Sequence, residues 1–179
     1  NDLVSLAKDW IYAKTEIPEK LYCPNSAVFQ TRLIRMQDRL SMIQDIQTIF
    51  PLIVSVAGEI GNNSFDHNLG NWPDVPGVFF GYDVGKRIVV LADRGSGILE
   101  TLKRVRPNLI NDKEALLMAF TEIISGREPE RRGNGLKYVR KVVTQDLKSL
   151  FFQSGAAKLE LKKNVRDLKI EEANKPIGG

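Results

Sequence analysis

Two apolar runs around a short polar turn make up the stretch VFFGYDVGKRIVVLADRGSG, which covers residues 78–97. Valine, isoleucine, phenylalanine and tyrosine dominate both runs, and these residue types favour β-strands. The stretch predicts strands at 78–82 and 87–91, joined as a hairpin by a turn at 83–85. The second strand leads directly into an aspartate and a glycine-rich loop, the kind of segment that often carries function.

Helical patterns lie on both sides of this hairpin. Upstream, residues 2–14, 26–47 and 51–68 each predict a helix, the last of them beginning at Pro51. Downstream, the sequence predicts helices at 98–105, 113–123 and 135–145. A closing hairpin follows, with strands at 149–153 and 157–161. This order indicates an α+β protein: a two-layer α/β sandwich with helices on one face of a mixed, mainly antiparallel sheet.

The helix predicted at 26–47 carries a narrow apolar stripe. Its apolar positions recur at alternating steps of four and three, at Phe29, Leu33, Met36, Leu40 and Ile43. Such a stripe suits a paired helix, either within the fold or across a homodimer. Packing against the domain's own sheet explains it equally well. We therefore divide the chain into an N-terminal helical segment, residues 1–47, and a main domain, residues 48–179.

Composition narrows the class of protein. With 42% hydrophobic and 27% charged residues, the chain has the balance of an ordinary globular protein. One cysteine, Cys23, and one histidine exclude an internal disulfide and a Cys/His zinc site. No apolar run reaches the ~20 residues that span a bilayer, and the first residues lack a signal pattern. We expect a cytoplasmic protein without a membrane partner.

Charge gives little support to a nucleic-acid partner. The net charge of +4 and pI near 9.2 permit weak attraction to polyanions. The basic residues are nevertheless interspersed with acidic ones instead of forming one run. A basic nucleic-acid-binding domain is therefore the weakest hypothesis that we consider.

Three polar residues of the helix predicted at 51–68 share one face. Glu59, Asn63 and His67 follow one another at steps of four, so they project in a line about one turn apart. An amide oxygen suits magnesium, which takes few protein ligands besides water and phosphate. A carboxylate can polarise an attacking water or hydroxyl, and an imidazole can contact phosphate. Taken alone, these residues are better explained as the polar edge of a structural helix.

A second motif follows the hairpin, where Asp93, Gly95 and Gly97 come directly after the second strand. An aspartate there can accept a hydrogen bond from the exocyclic amine of adenine, and glycines let a flat base lie close. An ordinary Asp/Gly turn is the simpler explanation of this motif alone.

A third motif opens the helix predicted at 135–145. It consists of Arg131, Arg132, Gly133, Asn134, Gly135 and Leu136, with Lys137 following. Backbone N–H groups at a helix start can hold phosphate, and two arginines would assist. A glycine-rich cap on a structural helix is a serious alternative, because a bare Gly-x-Gly is weak evidence. The preceding residues, 124–134, predict a polar loop.

In this order the three motifs resemble the N, G1 and G2 boxes of the GHKL superfamily of ATPases and kinases, over about residues 48–162. The superfamily includes gyrase, histidine kinases, a heat-shock chaperone and the mismatch-repair ATPase. The resemblance implies the Bergerat fold, with Asn63 as magnesium ligand, Glu59 as general base and Asp93 as the adenine-reading residue. It also implies ATP contacts from the other motif residues, His67, Gly95, Gly97, Ile98, Arg131, Arg132, Gly133, Asn134, Gly135 and Leu136.

Within the superfamily the helix motif most resembles that of the anti-sigma-factor serine kinases, which also have Glu, Asn and His at four-residue steps. Histidine kinases usually lack the glutamate and carry a phosphoacceptor histidine on a preceding helix. Residues 26–47 contain no histidine, so the sequence excludes such an acceptor there. The chain departs from the family pattern at Leu136, where many members have a glycine, and in its Arg-rich, acidic lid segment.

We therefore expect a protein that binds ATP with Mg²⁺ and acts as a regulatory serine/threonine kinase or slow ATPase on a separate protein partner. The alternative is a nucleotide-gated binding module, in which ATP closes a lid at 98–132 to control a protein contact without useful catalysis. The presence of Glu59 favours the first hypothesis.

Overall fold

The structure, a computed structural model, describes residues 2–122 and 134–178. Contacts between residues divide the chain into two compact units, Asn1–Gly95 and Ser96–Gly179. Each unit combines helices with a three-stranded antiparallel sheet, which confirms the α+β class. Where the sequence predicted one mixed sheet, the described strands pair in two separate antiparallel sheets. The domain boundary predicted after residue 47 differs from this division and stays a prediction.

The described residues of the first unit form α1 to α3 and β1 to β3. Their bounds are Leu3–Lys8 for α1, Tyr22–Cys23 for β1, Ser26–Ser41 for α2, Phe50–Asn68 for α3, Val78–Asp83 for β2 and Ile88–Asp93 for β3. A single π-helical turn at Asp9–Ala13 continues α1. The predicted hairpin is confirmed, because β2 pairs antiparallel with β3 from Val78↔Asp93 to Asp83↔Ile88.

Both faces of the sheet β1-β2-β3 are covered. Val78 and Phe80 point to the face where α2 and α3 pack, whereas Phe79 between them packs against Trp10 of the N-terminal segment. Successive residues of a strand point to opposite faces, so the strand divides its side chains between two cores. The prediction of helices on one face holds for α2 and α3 but is wrong for α1 and its π-helical turn, which lie on the other face.

Helix α2 begins where the sequence predicted and ends earlier. The Asn25 side chain caps it by accepting a 3.0 Å hydrogen bond from the Val28 N–H, as N-cap residues do. The predicted end near Gln47 is wrong, because Ile43 is extended (φ −97°, ψ 110°) and a 3-10 turn follows at Gln44–Ile46. Ile43 and Ile46 still pack against the core, so the apolar period continues after the helical backbone has ended.

The apolar stripe of α2 is buried inside the first unit. Phe29 and Met36 have no exposed surface, and burying a side chain of this size contributes about 1.5–3 kcal/mol. Gly61 of α3 makes the contact with α2 close, because a Cβ at that position would overlap the Phe29 ring. Packing within the fold is thus the interpretation of the stripe that the structure supports. A homodimer through residues 26–47 stays a prediction and would have to use another face of α2.

The second unit is a two-layer arrangement of helices on one sheet. Its described elements are α4 Gly97–Lys103, α5 Asp112–Thr121, α6 Gly135–Gln145, β4 Ser149–Ser154, β5 Ala157–Lys162 and β6 Ile170–Glu172. Ala157, Leu159 and Leu161 alternate along β5 and are buried, and Phe120 of α5 meets Phe152 of β4 edge-on with ring centroids 5.3 Å apart. The closing hairpin is confirmed, whereas the three-residue strand β6 was not predicted.

Among the described residues, no helix is both long enough and apolar enough to cross a membrane.

Candidate functional site

The polar face predicted on α3 exists in the structure. Glu59 and Asn63 are half-buried, and His67 one turn further on is exposed. Other positions of α3 are buried, since Gly61 packs against Phe29 of α2 and Asn68 lies against Gly95 of the Asp93 loop. Within the described part of the chain, the Glu59 carboxylate and the Asn63 amide have no hydrogen-bond or ion-pair partner. Two half-buried oxygen donors therefore stay available to a ligand at the edge of the buried face.

Asp93 is the last residue of β3, and two donors hold its carboxylate. The Ser64 hydroxyl donates to Oδ2 at 2.6 Å, and the Gly95 N–H donates to Oδ1 at 2.8 Å. Ser64 directly follows Asn63, the predicted magnesium ligand. The contact therefore joins the helix that carries Asn63 to the loop that carries Asp93, the predicted adenine-reading residue. A carboxylate oxygen can accept more than one hydrogen bond, so Asp93 retains capacity to accept from a ligand.

Gly95 is required because α3 comes close to the loop. A Cβ on Gly95 would overlap the Asn68 amide. Asn68 is 4% exposed, and its side chain donates to the Ser64 carbonyl at 2.8 Å. The loop backbone is therefore packed against a side chain that the helix itself fixes, and this geometry leaves no space for alanine.

Arg94 points away from this site. Its guanidinium pairs with Asp74 and lies 5.6 Å from the centroid of the Trp10 ring. Asp74 also pairs with Lys14 at 2.9 Å. The hydrogen bonds from Lys14 and then Arg94 hold the pKa of the Asp74 carboxyl below its usual value. Asp93 and Arg94 thus hold the start of the loop from opposite faces of the sheet.

The rest of the second motif begins the second unit. Gly97 has φ +78°, in the left-handed region that favours glycine. Ile98 follows as a residue of α4, and its N–H donates to the Ser154 hydroxyl at 2.9 Å. Ser154 is buried, so a side chain from β4 fixes the start of this short helix. These two residues therefore have a structural partner in the second unit.

The third motif is described only in part. Arg131, Arg132 and Gly133 lie outside the described residues. Asn134 occupies the N-cap position of α6, and its side chain makes no capping hydrogen bond. Gly135 and Leu136 form the first turn of α6 and are half-buried. The prediction that a helix opens at the second glycine is confirmed, whereas phosphate contact there stays a prediction.

The donor set suits magnesium better than a transition metal. In the part of the chain that the structure describes, no group of three or more His, Cys, Asp or Glu side chains could hold a metal ion. Magnesium does not require such a group, because it is commonly held by one or two protein oxygens together with substrate phosphates and water. The Asn63 amide oxygen fits this requirement.

Three residues of this region, Ser64, Asn68 and Arg94, were not predicted from the sequence. The signal for the first two was present: Ser64 and Asn68 continue the sheet-facing positions of α3 at steps of four from Ile60. A polar group on a buried face needs a hydrogen-bond partner, and here the partner is the Asp93 loop. Alternation along β3 could have placed Arg94 opposite Asp93, but no pattern identified Trp10 and Asp74 as its partners.

One cavity lies elsewhere, in the second unit. It has a volume of about 520 Å³ and is lined by Thr144, Gln145, Asn164 and Arg166. None of the predicted site residues that the structure describes lines it. We therefore base the candidate site on the α3 face and the Asp93 loop instead of on this cavity.

No protein-family model, no curated protein and no solved structure matches this chain.

Proposed function

We propose that this chain binds ATP together with Mg²⁺ and acts as a regulatory serine/threonine kinase or slow ATPase of the GHKL type on a separate protein partner. The observation that carries the proposal is the hydrogen bond from Ser64 to Asp93. It joins the helix that bears Glu59, Asn63 and His67 to the loop that bears Asp93. The three weak motifs resemble this superfamily only as a set, and the first motif is adjacent to Asp93 and Gly95 of the second motif in the first unit.

Asp93 is suited to recognise adenine. Its carboxylate is oriented by the Ser64 hydroxyl and the Gly95 N–H, so it does not have to reorganise when a base arrives. Each oxygen can still accept a further hydrogen bond, and adenine offers its exocyclic amine. A base that lacks the amine would gain no hydrogen bond from this oriented acceptor, so Asp93 would favour adenine over such a base.

Asn63 would hold magnesium through its amide oxygen, and His67 would contact phosphate. Bound magnesium would neutralise charge on the phosphate oxygens. The half-buried Asn63 oxygen lies one turn from Glu59 on the same helix face. Phosphate contact from Gly97, Ile98 and residues 131–136 belongs to the proposal through the family resemblance.

Glu59 would act as the general base. Its half-buried carboxylate has no partner among the described residues, so it can accept the proton of an attacking serine or threonine hydroxyl, or of water. Removing that proton as the oxygen attacks the γ-phosphorus, while the bond to the β-phosphate oxygen breaks and ADP leaves, supports transfer to a protein or hydrolysis. Which of the two dominates depends on the partner that presents its hydroxyl.

The proposal includes the Bergerat fold and a cytoplasmic location. The described order of α3, the β2–β3 hairpin, the Asp/Gly loop, α6 and the β4–β5 hairpin supports the first. The location follows from the substrate, since a kinase or ATPase needs a supply of ATP.

Turnover of ATP by wild type, Glu59→Ala and Asp66→Ala tests the catalytic part. Asp66 is an exposed carboxylate on the same helix, which makes it the matched control. Glu59→Ala should bind ATP as the wild type does and lose at least about tenfold in phosphate release or transfer, a typical contribution of a general base being 10²–10⁴. Asp66→Ala should retain wild-type turnover. Equal turnover in all three would leave a nucleotide-gated binding module as the function.

A further inference from the structure

The Asp93 loop is held from two sides, and only one of them belongs to the proposed nucleotide site. Along β3, Leu91 packs towards α2 and α3, whereas Val90 and Ala92 pack towards the cluster around Trp10 on the other face of the sheet. This alternation continues past the strand end, where Asp93 meets Ser64 of α3 and Arg94 meets Trp10. The chain thus places an acceptor and a cation on opposite faces at consecutive positions.

The partners of Arg94 come from the N-terminal segment and the loop that precedes β2. The guanidinium lies over the Trp10 ring at 5.6 Å, within the range of a cation–π contact. It also pairs with Asp74, which Lys14 contacts at 2.9 Å. Asp74 therefore joins two cations: Arg94, beside the proposed adenine-reading residue, and Lys14, directly after the π-helical turn at Asp9–Ala13.

We call residues 3–14 the strap. Trp10 anchors it, being 4% exposed and packed against Phe79. The π-helical turn at Asp9–Ala13 widens the helix around Trp10, and Lys14 then adopts a left-handed φ of +54°. A π-helical turn and a lysine with a left-handed backbone are uncommon. Here the π-helical turn contains Trp10, which contacts Arg94, and the left-handed lysine is Lys14, which contacts Asp74.

The contact is less favourable than an apolar one would be. Arg94 is 9% exposed, and its Nε has no hydrogen-bond partner among the described residues. A buried donor without a partner destabilises the state that contains it. The strap is therefore held by an incompletely satisfied cation, so its docked position can be shifted by a modest change at the loop.

We propose that Arg94 is a positioning residue that couples docking of the strap to nucleotide binding at Asp93; the coupling rests on the proposed function. When the strap is docked, Trp10 and Asp74 fix Arg94, and Arg94 fixes the backbone on which the Asp93 carboxylate and the Gly95 N–H are mounted. Undocking releases that backbone and weakens ATP binding. Because coupling between two equilibria is reciprocal, ATP must also favour the docked strap.

Hydrogen exchange of the full chain, with and without ATP and Mg²⁺, tests this coupling in wild type and Arg94→Lys. Lysine retains the charge but loses the planar contact with Trp10. Arg87→Lys is the control, since Arg87 is an exposed arginine in the same hairpin, 68% exposed and paired with Asp45. Asp74→Asn is a second variant that breaks the other contact of Arg94.

In wild type and Arg87→Lys, ATP should slow exchange of the strap by several-fold. In Arg94→Lys and Asp74→Asn, ATP should bind at least about fivefold more weakly, and the strap should exchange at a rate that ATP no longer changes. A merely structural Arg94 would speed exchange in the variants but leave the effect of ATP unchanged. ATP binding with no change in the strap of the wild type would overturn the inference and leave the proposed function intact.

If the wild type does not bind ATP, the proposed function fails. The effect of Arg94 on the backbone of the Asp93 loop is then measured without nucleotide. The Gly95 amide, which donates to Asp93, should then exchange faster in Arg94→Lys than in Arg87→Lys. Equal rates for that amide in the two variants would overturn the coupling as well.

Discussion

The Ser64 hydroxyl donates a hydrogen bond of 2.6 Å to the Asp93 carboxylate. The contact is short, as expected for an ionised acceptor, and it spans 29 positions of sequence. It fixes one oxygen of Asp93 while the Gly95 N–H fixes the other at 2.8 Å. The carboxylate that would read adenine is therefore oriented before a nucleotide arrives.

Replacing Ser64 with alanine should weaken ATP binding. A hydrogen bond to a charged group contributes about 1.5–3 kcal/mol, and the part of it that orients Asp93 would be lost. We expect the Kd for ATP to rise by about three- to tenfold, since tenfold corresponds to about 1.4 kcal/mol. Isothermal titration of wild type and Ser64→Ala measures the change.

Two further variants control this experiment. Ser64→Thr retains the hydroxyl and should bind ATP within about twofold of wild type, a difference of less than 0.5 kcal/mol. Ser41→Ala makes the same chemical change on α2, where the hydroxyl donates to the Asp38 carbonyl at 2.8 Å, and should have no effect on affinity. A Kd in Ser64→Ala equal to that of the wild type would show that Asp93 needs no support from α3.

The contrast between Ser64 and Glu59 shows how far the sequence can predict the site. Glu59, Asn63 and His67 were identified because their spacing of four is a local property of a helix. Ser64 and Asn68 belong to the same helix, but their role depends on the Asp93 loop, which approaches only in the folded chain. Local spacing predicts which residues share a face and does not predict what that face meets.

The fold shows the same limit. Both hairpins were predicted, since alternation and turn residues lie within a few positions of each other. The packing of Trp10 on the other face of the sheet β1-β2-β3 was not predicted, because nothing near Trp10 in the sequence indicates that Phe79 and Arg94 will be its partners. The end of α2 was misplaced for a related reason, since Ile43 stays in the core on an extended backbone.

Gly61→Ala should destabilise the first unit. An added Cβ would overlap the Phe29 ring, and overpacking of a core costs about 1–3 kcal/mol. The better helix propensity of alanine offsets about 0.5–1 kcal/mol of that cost. We expect a net loss of about 1–2 kcal/mol in the free energy of unfolding, measured by urea denaturation followed by circular dichroism.

Gly58→Ala is the matched control, three residues earlier on the same helix. There the nearest atom to an added Cβ is Leu33 Cδ2 at 3.2 Å, the end of a side chain that can move. Helix propensity should balance the crowding, so the stability should change by less than about 0.5 kcal/mol. Equal stability of the two variants would mean that Phe29 does not pack on Gly61.

Acid should undock the strap through Asp74. Hydrogen bonds from Lys14 and Arg94 lower the pKa of this carboxyl in the folded chain. Its contribution is therefore complete above the usual aspartate pKa of about 3.9 and is lost as the pH falls through the lower folded value. Lys14 and Arg94 are the cations that contact this carboxylate, and Tyr22, whose pKa burial raises, stays neutral in this range.

Fluorescence of Trp10 in a Trp72→Phe background measures this effect. The chain has two tryptophans, so the remaining signal reports the strap. Wild type and Asp74→Asn should differ most at neutral pH, and the difference should shrink below about pH 4. A difference that stays constant down to pH 2 would show that the Asp74 charge does not hold the strap.

Titration of ATP into wild type and Asp93→Asn, with and without Mg²⁺, shows whether this chain binds ATP through Asp93. Asparagine keeps the size of the side chain but replaces one acceptor oxygen with a donor, which opposes the exocyclic amine of adenine. The account predicts binding by the wild type that strengthens with Mg²⁺ and weakens at least about tenfold in Asp93→Asn, a loss of about 1.4 kcal/mol or more. No binding by the wild type, or equal binding by both proteins, would contradict it.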